Sequence, residues 1–284
     1  MKKFVLLPSV LFLILLGCTE ESPMAPESDL IVIRGYLYAG EPVQDIQLTS
    51  TLPLGSEQSK APPINDAAVA LIKQDKRYDL TQSGGDSGYY HYAGDDLTVE
   101  AEDQFRIEVT YHDQQVYATT SVPEAPKNVA ISKSTLSFPD FDTMWELRQQ
   151  GISMDSIRAS MTLTVNWENE ADALYFVVVE NIDGDPVAVE SQFGRGPGRF
   201  ISLPMPVGEY PINAMMMTHL GRHRVKVYRV NQEYADLYQS RNQDSRDLNE
   251  PLTNVVNGLG VFSAFNSDSV FFEFKQNASS TDGN

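Results

Sequence analysis

Few side chains in this 284-residue sequence stand at spacings that covalent chemistry requires. Gly85-Asp86-Ser87-Gly88 sets a serine between glycines, where a hydroxyl can act as nucleophile if a histidine takes its proton and a carboxylate orients that histidine. The four histidines are His91, His112, His219 and His223, and none lies upstream of Ser87, where the base for such a segment sits. The segment therefore reads as a Gly/Ser-rich hairpin loop. His219 and His223 have the spacing of a helical metal pair, but Arg222 to Tyr228 alternates like a strand, and four strand residues separate side chains by roughly 13 Å. That is too far for one zinc ion. Asp183 and Asp185 flank a glycine as calcium loops do, yet the closing glutamate is missing, and a hairpin turn is expected. Arg222, Arg224 and Lys226 share one strand face; they either meet an acidic partner or guard an edge strand against pairing, and the second is the expectation. Gly194-Arg195-Gly196-Pro197-Gly198-Arg199 can cradle an anion, but no helix follows it, so a loop is expected. Tyr89, Tyr90 and Tyr92, with Met215, Met216 and Met217, offer stacking or adaptable contact, core packing being the default. No catalytic set and no metal-ligand set emerges, and a non-enzymatic protein is expected.

The remaining reactive side chain is Cys18, the single cysteine. One cysteine excludes an intramolecular disulfide and a cysteine-based zinc cage. With 42% hydrophobic and 21% charged residues, the chain buries a real core, which excludes disorder throughout. Its 21 basic and 39 acidic residues give a formal charge of -18, which argues against nucleic acid as a partner, because phosphate affinity comes from Lys and Arg. Residues 1–17 read as a signal peptide. Lys2 and Lys3 precede an apolar run from Phe4 to Leu16, too short to span about 30 Å of hydrocarbon as a helix. Leu15-Leu16-Gly17-Cys18 resembles a bacterial lipobox, and that resemblance implies a diacylglycerol and an N-acyl chain such as palmitate on Cys18. No other cofactor is expected. Residues 18–29 are polar and proline-bearing, an extended tether. Cleavage before Cys18 removes two lysines and no acids, leaving a charge of -20.

The rest of the chain reads as mainly β, two β-sandwich parts with a few short helices. Residues 30–123 form the first part. Ile31 to Leu37 is β-branched and aromatic, and further strands are expected at 46–52, 68–72, 77–80, 89–92, 105–112 and 115–122. Phe105 to Tyr111 alternates with period two, and His112-Asp113-Gln114 turns the chain. Residues 124–160 read as a linker with two short helices split near Gly151, where Phe141, Met144, Trp145 and Leu147 fit one stripe and Asp140 a cap. Residues 161–276 form the second sandwich-like part, with strands at 161–167, 174–180, 187–189, 199–203, 215–218, 222–230 and 270–274. A short helix is expected over 232–240, and 277–284 is a polar tail.

Two places carry a family resemblance: Ile31-Val32-Ile33-Arg34-Gly35-Tyr36-Leu37 followed by Pro63 to Val69 and Tyr117 to Pro123; and Asn254-Val255-Val256-Asn257-Gly258-Leu259-Gly260-Val261-Phe262-Ser263-Ala264-Phe265-Asn266. With the lipobox they resemble the Bacteroidetes outer-membrane lipoproteins of domain of unknown function 4249. The first half also resembles transthyretin-like or carboxypeptidase-regulatory-like sandwiches, and the two parts together Ig-like and fibronectin-like ones. The resemblance implies a lipid-anchored accessory or binding protein at the outer membrane, facing the cell exterior and associated with a TonB-dependent receptor. It carries no catalytic residues. Glu20-Glu21 after the cysteine resembles the surface-export signal of such lipoproteins. Trp145, within residues 124–160, and the stretch Gly258, Leu259, Gly260, Val261 and Phe262 are the expected partner contacts. A tight bend before the last strand is the alternative for that stretch. The rival functions are an envelope hydrolase acting on glycan or peptide, and a structural surface protein or adhesin.

Overall fold

The structure is a computed structural model that describes residues 30–277, apart from 53–55, 57, 140, 190–197 and 241–252. Cys18, the tether, the Asp140 cap, most of the 194–199 loop and the tail from 278 lie outside the described residues.

Among the described residues, sixteen strands and three short helices follow in chain order. The first part holds β1 (Ile31–Tyr38), β2 (Asp45–Ser50), β3 (Ala68–Lys73), β4 (Lys76–Asp79), β5 (Thr81–Gln82), β6 (Tyr89–His91), β7 (Gln104–Tyr111) and β8 (Gln114–Ser121). Then come β9 (Ala130–Ile131), β10 (Thr135–Pro139), α1 (Phe141–Gln149) and α2 (Met154–Ser160). The last part holds β11 (Thr162–Asn166), β12 (Leu174–Asn181), β13 (Arg199–Ile201), β14 (Glu209–Asn213), β15 (Gly221–Val230), α3 (Gln232–Ser240) and β16 (Leu259–Asn277). The expected strand over 215–218 is instead a 3-10 turn, Ala214–Met216, because Asn213 caps it by accepting from the Met215 N–H.

One mixed sheet of nine strands runs through both halves in the order β13-β12-β15-β16-β1-β2-β6-β5, with β10 also on β16. β16 is the spine. Its first residues pair in parallel with β1, from Val32 opposite Leu259 to Tyr38 opposite Phe265, its middle pairs with β15, and its end pairs with β10. Residues 259–265, expected within the second part, thus complete the sheet of the first.

Strand alternation then sorts side chains to two faces. Ile31, Ile33, Leu37, Ile46, Leu48, Phe262 and Ala264 face the four-stranded sheet β4-β3-β7-β8, which meets them with Leu71, Phe105, Ile107 and Val109. Farther along the same face, Val225, Val227, Phe272 and Phe274 meet Leu163, Val165 and Ile212 of the three-stranded sheet β14-β11-β9. The result is a mostly β molecule of sandwich-like layers. On the opposite face Phe176, Tyr228 and Phe265 form a third cluster that α3 covers with Tyr234, whose ring meets Phe265 edge-on at 4.7 Å.

Candidate functional site

The glycine-rich stretch near the C-terminus is a seam inside the fold. Asn254 brackets Phe262 with both ends of its side-chain amide: Oδ1 accepts from the Phe262 N–H at 3.0 Å, and Nδ2 donates to the Phe262 carbonyl at 2.7 Å. The amide stands in for a neighbouring strand. Thr253 Oγ1 donates to the Gly260 carbonyl at 2.7 Å. The same segment closes the outer edge of β8, whose alternate carbonyls would otherwise invite pairing. Gln115 accepts from Asn257 Nδ2, Tyr117 from the Val256 N–H, Thr119 from Asn254 Nδ2, and Ser121 from Asn231 Nδ2. Gly258 and Gly260 let β16 lie close on β1. A Cβ at Gly260 would sit 1.9 Å from the Ile33 carbonyl oxygen, and its φ of +106° is one that side-chain-bearing residues avoid. Of the expected contact stretch, Val261 and Phe262 are buried, Phe262 in the first core, while Gly258, Leu259 and Gly260 are half-buried. Asn254→Ala strands the Phe262 amide at a part-buried position, and a loss of about 2 kcal/mol in urea unfolding is expected.

Trp145 has the opposite placement. It is 59% exposed, while its helical neighbours Met144 and Leu147 pack on the second core; it does not share their stripe. α1 and the 3-10 turn both pack on β10, and α1 also meets α2. Those surrounding elements add exposed Met215 and Met154 to the same end of the molecule. β10 pairs with residues 273–277 of β16, whereas the chain enters at β1 opposite residue 259. At about 3.3 Å per residue the two ends of this 19-residue strand are up to roughly 60 Å apart. The exposed apolar side chains therefore lie far from the point where the N-terminal segment joins the fold.

The basic strand is not an edge. β15 lies between β12 and β16, so pairing is already satisfied on both sides. Arg224 Nη2 meets Glu180 at 2.6 Å, Lys226 meets Glu41 at 3.0 Å, and the Arg222 guanidinium lies 4.9 Å from the centre of the Phe271 ring. On the other face of β15, His223 is buried, stacks on Phe272 at 5.1 Å, and donates from Nδ1 to the Gly221 carbonyl. Burial holds its pKa below the ordinary histidine value, against the raising influence of the Gly221 carbonyl, Asp183 and Glu273. The folded chain thus binds this proton more weakly than the unfolded one. The contribution is complete above about pH 6.5 and is lost as pH falls through the folded-state value. His223→Phe should flatten that part of the pH dependence of the urea midpoint. His219 instead bonds Thr218 Oγ1 through Nδ1.

Asp183 also has a structural use: Oδ2 accepts from the Arg222 N–H at 2.9 Å. In the 85–88 loop, Asp86 accepts from Asn65, the Gly88 N–H donates to Asn65, and Ser87 Oγ donates to the Gly84 carbonyl at 3.3 Å. This is a braced hairpin loop. A cleft of about 740 Å³ lies between the four-stranded sheet and α3. It is lined by Asp75, Glu102 and Asp103, the last paired with Lys73 at 2.6 Å, and by Glu233, which accepts from Thr120 Oγ1. A second groove lies on the other side of the first part, beside β6.

The family described as Domain of unknown function (DUF4249) matches residues 19–270. No curated protein matches the chain. Among solved structures, the chain is similar to one described as a cytokine receptor complex, at a TM-score of 0.25 and 10% identity, covering 88% of this chain and 98% of that one. It is also similar to a crystal structure of domains from titin, at a TM-score of 0.21 and 9% identity, covering 87% and 67% of the two chains. Scores this low carry no argument about fold or function.

Proposed function

Because the chain belongs to the family of domain of unknown function DUF4249, we propose that it is a lipid-anchored, non-enzymatic accessory protein of the bacterial outer membrane, associated with a TonB-dependent transporter. The observation that carries this reading is the position of the sole cysteine, Cys18, directly after the apolar run in Leu15-Leu16-Gly17-Cys18. Acyl chains confine the protein to a surface and raise its effective concentration for a neighbour, so modest affinity suffices. The exposed Trp145, Met154 and Met215 supply a contact surface at the end of the fold remote from the anchor, and a rigid indole with adaptable thioethers suits such a contact. The transthyretin-like character of the first part and the Bacteroidetes origin belong to the same proposal.

Gentle detergent extraction and affinity purification of the acylated protein test it. Recovery of a TonB-dependent barrel is the expected result. Trp145→Ala should reduce that recovery several-fold while shifting stability by no more than about 0.5 kcal/mol, since the side chain is mostly in solvent. Consistent absence of a barrel under conditions that preserve such complexes would contradict the reading.

A further inference from the structure

The second groove has a composition unlike the rest of this acidic chain. It encloses about 540 Å³ between the turn at 42–44 and the hairpin of β5 and β6, and its polar lining is Gln44, Ser83, Ser87 and His91 with the rings of Tyr89 and Tyr92. Among the described residues no Asp, Glu, Lys or Arg lines it, although the chain has 39 acidic residues. We propose that this groove binds a neutral, polyhydroxylated ligand, a segment of uncharged glycan, without chemical turnover.

The walls are held in place before any ligand arrives. The Tyr92 N–H donates to the Val43 carbonyl at 2.9 Å, tying the turn to β6, and the Ser83 N–H donates to the Tyr89 carbonyl at 2.8 Å. Gln47 Nε2 holds the Ser87 carbonyl at 2.9 Å. Both tyrosines are fixed by their hydroxyl ends: Arg34 Nη2 donates to the Tyr89 oxygen, and the Tyr92 hydroxyl donates to Asp96. Each ring is thereby oriented at little further entropic cost to binding. Ser83 Oγ bonds His91 Nδ1 at 2.9 Å, which leaves Nε2 as the hydrogen-bonding atom of that ring for a ligand.

This chemistry selects among ligand classes. Serine hydroxyls, a carboxamide and an imidazole both donate and accept, as sugar hydroxyls do, while the C–H face of a pyranose packs on a tyrosine ring. A purely apolar ligand would strand those polar groups. An anionic ligand would find no cation among the lining side chains, the nearby Arg34 being already bonded to the Tyr89 oxygen, and would approach a chain with a large acidic excess. The groove lies in the first part of the fold and does not depend on acylation, so the soluble Cys18→Ser protein is a suitable sample and failure here leaves the anchoring proposal intact.

Native electrophoresis through gels containing soluble starch, arabinoxylan, laminarin or galactomannan, with polygalacturonate as the anionic comparison, tests the proposal. At least one neutral polymer is expected to retard the protein, and polygalacturonate is not. Gln44→Ala changes an exposed side chain and should weaken the retardation roughly three- to tenfold; Tyr89→Ala should do the same, and Tyr89→Phe, which keeps the ring but loses the hydroxyl held by Arg34, should weaken it less than Tyr89→Ala. Trp145→Ala, remote from the groove, should migrate as the parent does. The proposal is overturned if no neutral polymer retards the protein, if polygalacturonate alone does, or if Gln44→Ala and Tyr89→Ala, checked for native circular dichroism, are retarded like the parent.

Discussion

Gly260→Val is expected to be among the most damaging single changes in the chain, costing about 3 kcal/mol or more and leaving little folded protein at 37 °C. Two independent causes act at once. The backbone sits at φ +106°, where a branched residue is strained, and the first added carbon would lie 1.9 Å from the Ile33 carbonyl oxygen, 2.8 Å from its carbon and 3.0 Å from its nitrogen. These are backbone atoms of β1, which is held on its other edge by β2, so β1 cannot move aside without loosening the ladder. Detaching β1 from β16 also uncovers Phe262, a buried ring of the first core, worth roughly 1.5 to 3 kcal/mol of burial. Gly184→Ala is the comparison: nothing lies within 4 Å of a Cβ there and φ is ordinary, so its urea midpoint should match the parent. Equal midpoints for Gly260→Val and Gly184→Ala would remove the seam from the account.

Cys18→Ser is expected to move the protein almost completely from the membrane pellet to the soluble fraction after signal cleavage. Each buried acyl CH₂ contributes about 0.8 kcal/mol, so losing two or more chains removes the attachment outright. Nothing in the charge of the chain would replace it, because 19 basic residues against 39 acidic ones remain after cleavage, and anionic headgroups repel such a surface. For the same reason high salt should not release the parent protein. A Cys18→Ser protein that stays with membranes after cleavage would show that something other than acylation holds it there.

How much of this was legible in the sequence depended on whether neighbours in the chain were neighbours in space. Period-two alternation placed β7 and β8 and the His112-Asp113 turn between them, where His112 takes a positive φ of 49°. The split between α1 and α2 at Gly151 was equally local, since that glycine has φ +81°. What alternation could not disclose was pairing. β16 reads as a strand only from Val270, because Asn266-Ser267-Asp268-Ser269 interrupts its apolar pattern at the crossing between the two cores, where Asn266 instead bonds the Pro123 carbonyl. The parallel partnership of residues 32–38 with 259–265 leaves no local trace at all. The same gap explains the contact residues. Gly258-Leu259-Gly260 reads as a tight bend by composition, and the Asn254 amide on Phe262, eight residues away, is what shows that Phe262 is held inside the fold. Arg222, Arg224 and Lys226 resemble edge protection because Phe271, Glu180 and Glu41, which they respectively meet, are distant in sequence. Trp145 fitted the apolar stripe by spacing, yet α1 is too short and too shallowly docked to bury it.

The central claim, an acidic β fold held at a membrane by acyl chains on its only cysteine, is tested most directly by mass spectrometry of the mature N-terminus from membrane-purified protein. The expected mature chain begins at Cys18 and carries a diacylglyceryl group on sulfur and an acyl chain on nitrogen. A chain that begins elsewhere, or an unmodified Cys18 thiol in membrane-bound protein, would contradict it.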